Sequence, residues 1–264
     1  MRRPNGAERV TAVLAIARFT ALEALRSRFA WLVAGFVVVG CVLALFAGEV
    51  AITETQGFRS GLLSAWLRAC AVFAVCAFVI SSTVREHHDR GLELMLSMSV
   101  SRAAYHAGKL TGFAGVSVFS AIACAPALVW FAPPTQAVLW AASLGLELLI
   151  VAAASLLCVF SFSQVTWAMS SVMGFYLLSR SMTALQLMAH ESSATHGTAA
   201  RQFMRAFVDA LAFVAPDLDR FARSEWLIHG TGTFADLGFA AMQTFIYVLL
   251  LCAAAWFDLY RKAL

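Results

Sequence analysis

The sequence predicts an all-α integral membrane protein with about six transmembrane helices, and three observations carry that prediction. Of its 264 residues, 61% are hydrophobic and only 13% are charged, where soluble domains are roughly 45–50% apolar and about 25% charged. Mean hydropathy is +0.79, and apolar runs long enough to cross ~30 Å of hydrocarbon recur along the chain. The remaining charges gather between those runs. A net charge of +4 then reflects basic residues collected at one membrane face, and nucleic-acid binding is not expected.

Residues 1–28 carry Arg2, Arg3, Arg9, Arg18, Arg26 and Arg28 against Glu8 and Glu23. Between them Val10, Val13, Leu14, Ala17, Ala21, Leu22 and Leu25 recur at helical spacing, the pattern of an amphipathic helix lying along a membrane surface. A charged region this long, with no small-residue cleavage site after the apolar run, reads as an uncleaved anchor whose N-terminus stays cytoplasmic. The six-span domain then occupies residues 29–264, with spans expected at 29–48, 62–84, 110–131, 138–160, 165–189 and 234–257.

The connections differ in length. A short polar loop with Glu49, Glu54, Gln56 and Arg59 follows the first span, and Pro133 and Pro134 close the third. Ser161, Ser163 and Gln164 make a tight turn after the fourth. Residues 190–236 form a long polar region, expected to be external, with Phe203, Phe207, Leu211 and Val214 on one helical face and Arg201, Arg205 and Asp209 opposite. Pro216, followed by Asp217 and Asp219, acids suited to a helix N-terminus, starts a second short helix there. With six spans both termini and the stretch 85–109 share a side, and the basic residues near its span ends make that side cytoplasmic.

Cys41, Cys70, Cys76, Cys124, Cys158 and Cys252 all fall within apolar runs, without paired or ligand spacing, and read as packing residues. His87 and His88 point to different helix faces, so no metal site is expected from them.

The stretch 85–109, REHHDRGLELMLSMSVSRAAYHAGK, is the one long segment of mixed polarity between two strongly apolar runs. Glu86, Asp89, Glu93, Arg85, Arg90, Arg102 and Lys109 keep it out of hydrocarbon. Leu92, Leu94, Met95, Leu96, Met98 and Val100 make it too apolar for a freely solvated loop, so it is expected to dock on a partner. Its part from Asp89 to Lys109 resembles the signature of permeases of the type-2 ATP-binding-cassette exporter family. There an acidic residue, Arg-Gly-Thr, a Leu-rich run, Ser-x-Pro-Val-Ser-Arg and a following Gly-Lys lie between the second and third spans. Asp89, Arg90, Gly91, Leu94, Leu96, Ser97, Val100, Ser101, Arg102, Gly108 and Lys109 match, while Leu92 stands where that family often has Thr and Ser99 where it often has Pro.

The resemblance implies a membrane subunit pairing with a second permease half and with separate ATP-binding subunits, in a bacterial inner membrane. It also implies that residues 1–28 form an elbow helix and that the stretch 85–109 forms a coupling helix seated in a groove of the ATPase. Arg85, Glu86, Asp89, Arg90, Gly91, Glu93, Leu94, Leu96, Ser97, Val100, Ser101 and Arg102 are then the docking candidates. ATP and Mg are expected on the partner: Gly108-Lys109 is followed by Leu110 and lacks the upstream Gly of a phosphate-binding loop, so no cofactor is expected on this chain.

Within the spans, Arg68, Glu147 and Arg180 stand out. An ionised carboxylate at mid-span costs at least about 2.5 kcal/mol, so Glu147 is expected to face the bundle interior, paired with Arg180 or lining a path. Two other classes compete with a permease. An intramembrane enzyme would need paired catalytic side chains on facing spans, where only Glu147 and scattered Ser and Thr occur. A non-catalytic scaffold or assembly factor fits the composition but leaves the central motif unexplained. The apolar spans suit an amphipathic cargo without identifying one.

Overall fold

The computed structural model describes residues 6–50, 55–88, 102–162, 164–191 and 199–261, and every extended element among them is an α-helix. In chain order these are α1 (Gly6–Arg26), α2 (Phe29–Val50), α3 (Thr55–His88), α4 (Arg102–Val129), α5 (Pro134–Ser161), α6 (Val165–Glu191), α7 (Ala199–Val214), α8 (Ser224–His229) and α9 (Phe234–Arg261). Five of them, α2, α3, α4, α5 and α9, are long and apolar enough to cross a membrane. This is the build of an all-α membrane protein. The predicted fifth span is helical throughout as α6, but Ser170, Ser171, Ser179, Arg180, Ser181, Thr183 and Gln186 make it more polar than the other five.

Helix α5 is the axis, with α3, α4, α6 and α9 packed on it. In its most apolar stretch 72% of residues are buried, against 22% in α2 and 11% in α9, which therefore stand at the rim. They turn Trp31, Phe46, Phe239, Phe245 and Phe257 outward. Such faces would cost about 25 cal/mol per Å² in water and nothing comparable in hydrocarbon.

The polar loop expected after the first span is shorter than the sequence suggests. Helix α2 runs on to Val50 and α3 begins at Thr55, so Gln56 and Arg59 lie in the first turns of α3. Arg59 reaches Glu49 at 3.5 Å, and the Gln56 amide donates to the Phe131 carbonyl at 3.3 Å. Farther along the same pair, Gly40 leaves room for the Trp66 indole, whose Nε1 donates to the Phe36 carbonyl at 3.0 Å.

Helix α1 packs along the start of α4 through Gly108 and Gly112. A Cβ at Gly108 would lie 2.8 Å from Ile16 Cβ, and one at Gly112 would lie 2.6 Å from Thr20 Cβ. Two glycines one turn apart thus allow the backbones to close on each other. Ile16, Ala17, Thr20 and Ala24 are buried by this contact, while Val10, Leu14, Leu22 and Leu25 of the expected stripe remain exposed with Phe19.

A similar offset occurs in α7. Its packed row is Val208, Leu211, Ala212 and the following Ala215, set against Met182 and Ala189 of α6. Phe203 and Phe207 of the expected apolar stripe are exposed and stack with ring centroids 6.4 Å apart. The small residues one position round the helix allow the closer approach to α6, and the rings are left outside.

Candidate functional site

Two polar centres sit at opposite ends of the bundle. The foot is the end where α3 finishes and α4 begins; the head is the end where α3, α5 and α9 begin.

At the foot, three helices are joined pairwise. Glu23 of α1 uses Oε1 to accept from Ser82 Oγ of α3 at 3.0 Å and to pair with the exposed Arg85. One residue on, Glu86 faces α4: its Oε1 lies 2.7 Å from Lys109 Nζ, and its Oε2 accepts from Tyr105 Oη at 2.7 Å. Tyr105 and Lys109 are four residues apart on α4 and therefore share the face that meets Glu86. The Lys109 side chain is 1% exposed, and its ammonium lies 5.5 Å from the Phe113 ring centre. Its contact with Glu86 is that of touching ions rather than a directed hydrogen bond. Burying an ammonium costs several kcal/mol, which a closely held carboxylate offsets. His106 is buried next to these residues, 5.7 Å from the Phe160 ring. The glycine contact of α1 with α4 closes the triangle.

At the head, the chain after α7 turns back into the bundle. Leu218, Phe221 and Ala222 are fully buried, and with Leu227 they belong to the main core. A single 3₁₀ turn (Leu218–Arg220) and short α8 are the only regular structure in this re-entrant segment, so most of its carbonyls lack helical partners. Side chains from three helices supply them. Arg180 of α6 donates to the Leu218 and Phe221 carbonyls at 2.7 and 3.1 Å, and Arg68 of α3 donates to the Ala222 carbonyl at 2.8 Å. Trp140 Nε1 of α5 donates to the same Ala222 carbonyl at 2.8 Å, and the Ala222 amide donates to Ser143 Oγ at 3.0 Å. Non-helical backbone at such depth is stable only where protein groups replace water.

These bonds hold Ala222 at φ 43°, in the left-handed region that an alanine enters only at a cost of about 1–3 kcal/mol. Ser64 Oγ donates to Ser224 Oγ at 2.8 Å where α8 begins, and Gly230, at φ 68°, ends that helix with its amide bonded to the Trp226 carbonyl. Below the segment sits Glu147, with a fully buried side chain. Its Oε1 accepts from Tyr176 Oη at 2.9 Å and faces Arg180 at 3.4 Å, while Oε2 has no hydrogen-bond partner among the described residues.

The structure therefore brings Arg68, Glu147 and Arg180 to one centre. It turns Arg85 and Glu86 toward α1 and α4. Asp89, Arg90, Gly91, Glu93, Leu94, Leu96, Ser97, Val100 and Ser101 lie outside the described residues, as does the side chain of Arg102, which opens α4. Sequence reasoning missed Glu23, Ser82 and Tyr105 at the foot and Trp140, Ser143 and Tyr176 at the head. One signal was present: Trp140, Ser143 and Glu147 recur at helical spacing on a single face of α5. Compared with known proteins, the chain matches no family model and no curated sequence.

Proposed function

We propose that this chain is the permease subunit of an ATP-driven transporter of the ATP-binding-cassette type, an exporter whose energy comes from a separate ATPase subunit. The observation that carries the reading is the foot. The motif starts just after Glu86 and ends at Lys109, and Glu86 holds both Tyr105 and Lys109 of its far end. A load applied between them passes into α1, α3 and α4 together, because each pair of these helices has its own lock. That suits a coupling element better than a solvated linker.

In this reading the foot is cytoplasmic, in agreement with Arg18, Arg26, Arg28 and Arg85 near it. Residues 1–28 form the elbow, α6 completes six spans, and both termini lie on the foot side of a bacterial inner membrane. ATP and Mg reside on the partner ATPase, and a second permease half completes the transporter. Glu86 acts within the permease, leaving the residues from Asp89 to Arg102 to meet the ATPase.

The test is gentle purification of the tagged chain from its native host, with mass spectrometry of whatever remains bound, beside a Leu96→Asp, Arg102→Glu double variant. An ATP-binding subunit retained by the native chain and lost from the variant is the expected result. Absence of an ATPase from both overturns the reading in favour of a membrane scaffold.

A further inference from the structure

We infer that Arg68 and Arg180 form a binding site for an oxyanion, a phosphate-type group, and that the re-entrant segment occupies this site with its own carbonyls. The inference needs no ATPase and goes beyond the transport reading.

Chemistry is the first support. Two guanidinium groups from different helices converge on the carbonyl oxygens of Phe221 and Ala222, consecutive residues of the segment, and Arg180 adds that of Leu218. Guanidinium forks aimed at a cluster of oxygens are the usual means of holding phosphate. Charge is the second. Glu147 is the one buried carboxylate beside the two arginines, while of the segment's own acids Asp217 and Asp219 pair with Arg220 and Arg223 and Glu225 is exposed. Among the buried groups one guanidinium is then left facing neutral carbonyls, which carry only partial charge. An anion would complete the balance.

The segment also has the features of a displaceable occupant. Ala222 is strained, and its conformation is maintained by the bonds to Ser143, Trp140 and Arg68. Beside it, toward α9, is a cleft of about 500 Å³ lined by Arg220, Arg223, Trp226, Asp236, Phe239 and Tyr247. Arg220, Arg223 and Trp226 of the segment thus border open space on the α9 side. Ser143 lies roughly 14 Å along α5 from its start at 1.5 Å per residue, so the site sits well inside the bundle. Glu147 is a positioning residue here, fixing the Arg180 guanidinium from below.

The test is calorimetric titration of the purified full chain in nanodiscs, separately with inorganic phosphate and with a short-chain phosphatidate, using an uncharged short-chain diacylglycerol as blank. Ser143→Ala removes one bond that seats the segment and leaves both arginines in place. It is expected to bind the anion about three- to tenfold more tightly than the native chain, the equivalent of one hydrogen bond. Arg180→Gln is expected to lose binding, and Arg180→Lys, which keeps the charge without the fork, to weaken it if the Gln variant does not fold. Binding of phosphate identifies a free oxyanion as ligand, and binding of phosphatidate alone identifies an anionic amphiphile. Failure of Ser143→Ala to bind either probe, no gain over the native chain, or undiminished binding in both Arg180 variants overturns the inference.

Discussion

The foot and the head solve the same problem, buried charge, by different means. At the foot a cation meets an anion: Lys109 is enclosed with Glu86, and Tyr105 satisfies the remaining carboxylate oxygen. At the head, cations meet mostly backbone. Arg68 and Arg180 bond to carbonyls of a segment that is neither helix nor strand, with a single carboxylate beneath them. A matched ion pair fixes two helices in one register, because any slide separates the charges. Guanidinium groups holding carbonyls fix a loop only as long as the loop offers the best accepting oxygens present. On the readings proposed above, the foot transmits position and the head exchanges partners.

The most disruptive way to break this contrast is at Glu147. Replacing it with Leu leaves two arginines without a buried counter-charge and should cost about 3–5 kcal/mol in unfolding followed in mixed micelles. An Arg180→Leu change in the same chain should recover part of that loss, since it removes one of the stranded charges. A Glu147→Leu chain as stable as the native one would mean that the carboxylate does not balance the head.

At the foot, Lys109→Met should destabilise by about 3 kcal/mol by stranding Glu86, and Lys109→Met with Glu86→Leu should restore most of the stability. Stability and coupling should then separate. In a reconstituted complex the double variant should fold yet lose part of the ATP-driven transport, because the register-setting pair is gone. If transport returns with stability, the pair is structural only.

The smallest effect is expected at the helix contact. Gly112→Leu overfills the approach of α1 to α4 and should cost about 1–3 kcal/mol. Protease sensitivity after Arg26 should rise while the head is unchanged. Equal loosening at both ends would show that foot and head are not independent.

These differences also explain what could be read from the chain. The spanning helices are legible because their apolar runs are long, and Arg68, Glu147 and Arg180 because a charge inside such a run is conspicuous. Their meeting was expected for Glu147 and Arg180, but the role of Arg68 was hidden, since its partner is a backbone carbonyl and any residue offers one. The Glu86–Lys109 pair was equally hidden: both residues lay in a stretch read as facing a partner, and nothing local says that one turns inward. Gly108 and Gly112 were visible, yet only Ile16 and Thr20, far away in sequence, reveal their purpose. The outward turn of Phe203 and Phe207 shows the limit of stripe counting, because small residues beside a stripe can win the contact by permitting a closer approach.

The glycine contact of α1 carries a consequence for biosynthesis. Chains emerge from the ribosome N-terminus first, so α1 is made well before the α4 backbone that receives it. Throughout that interval Ile16 and Ala17, later enclosed, and Val10, Leu14 and Phe19, never enclosed, have no intramolecular shelter. The bilayer surface is the available refuge, and α1 must be partly extracted from it when α4 arrives. Insertion of this protein thus includes a late docking step, whose rate should depend on how strongly the lipid headgroup region retains the first helix.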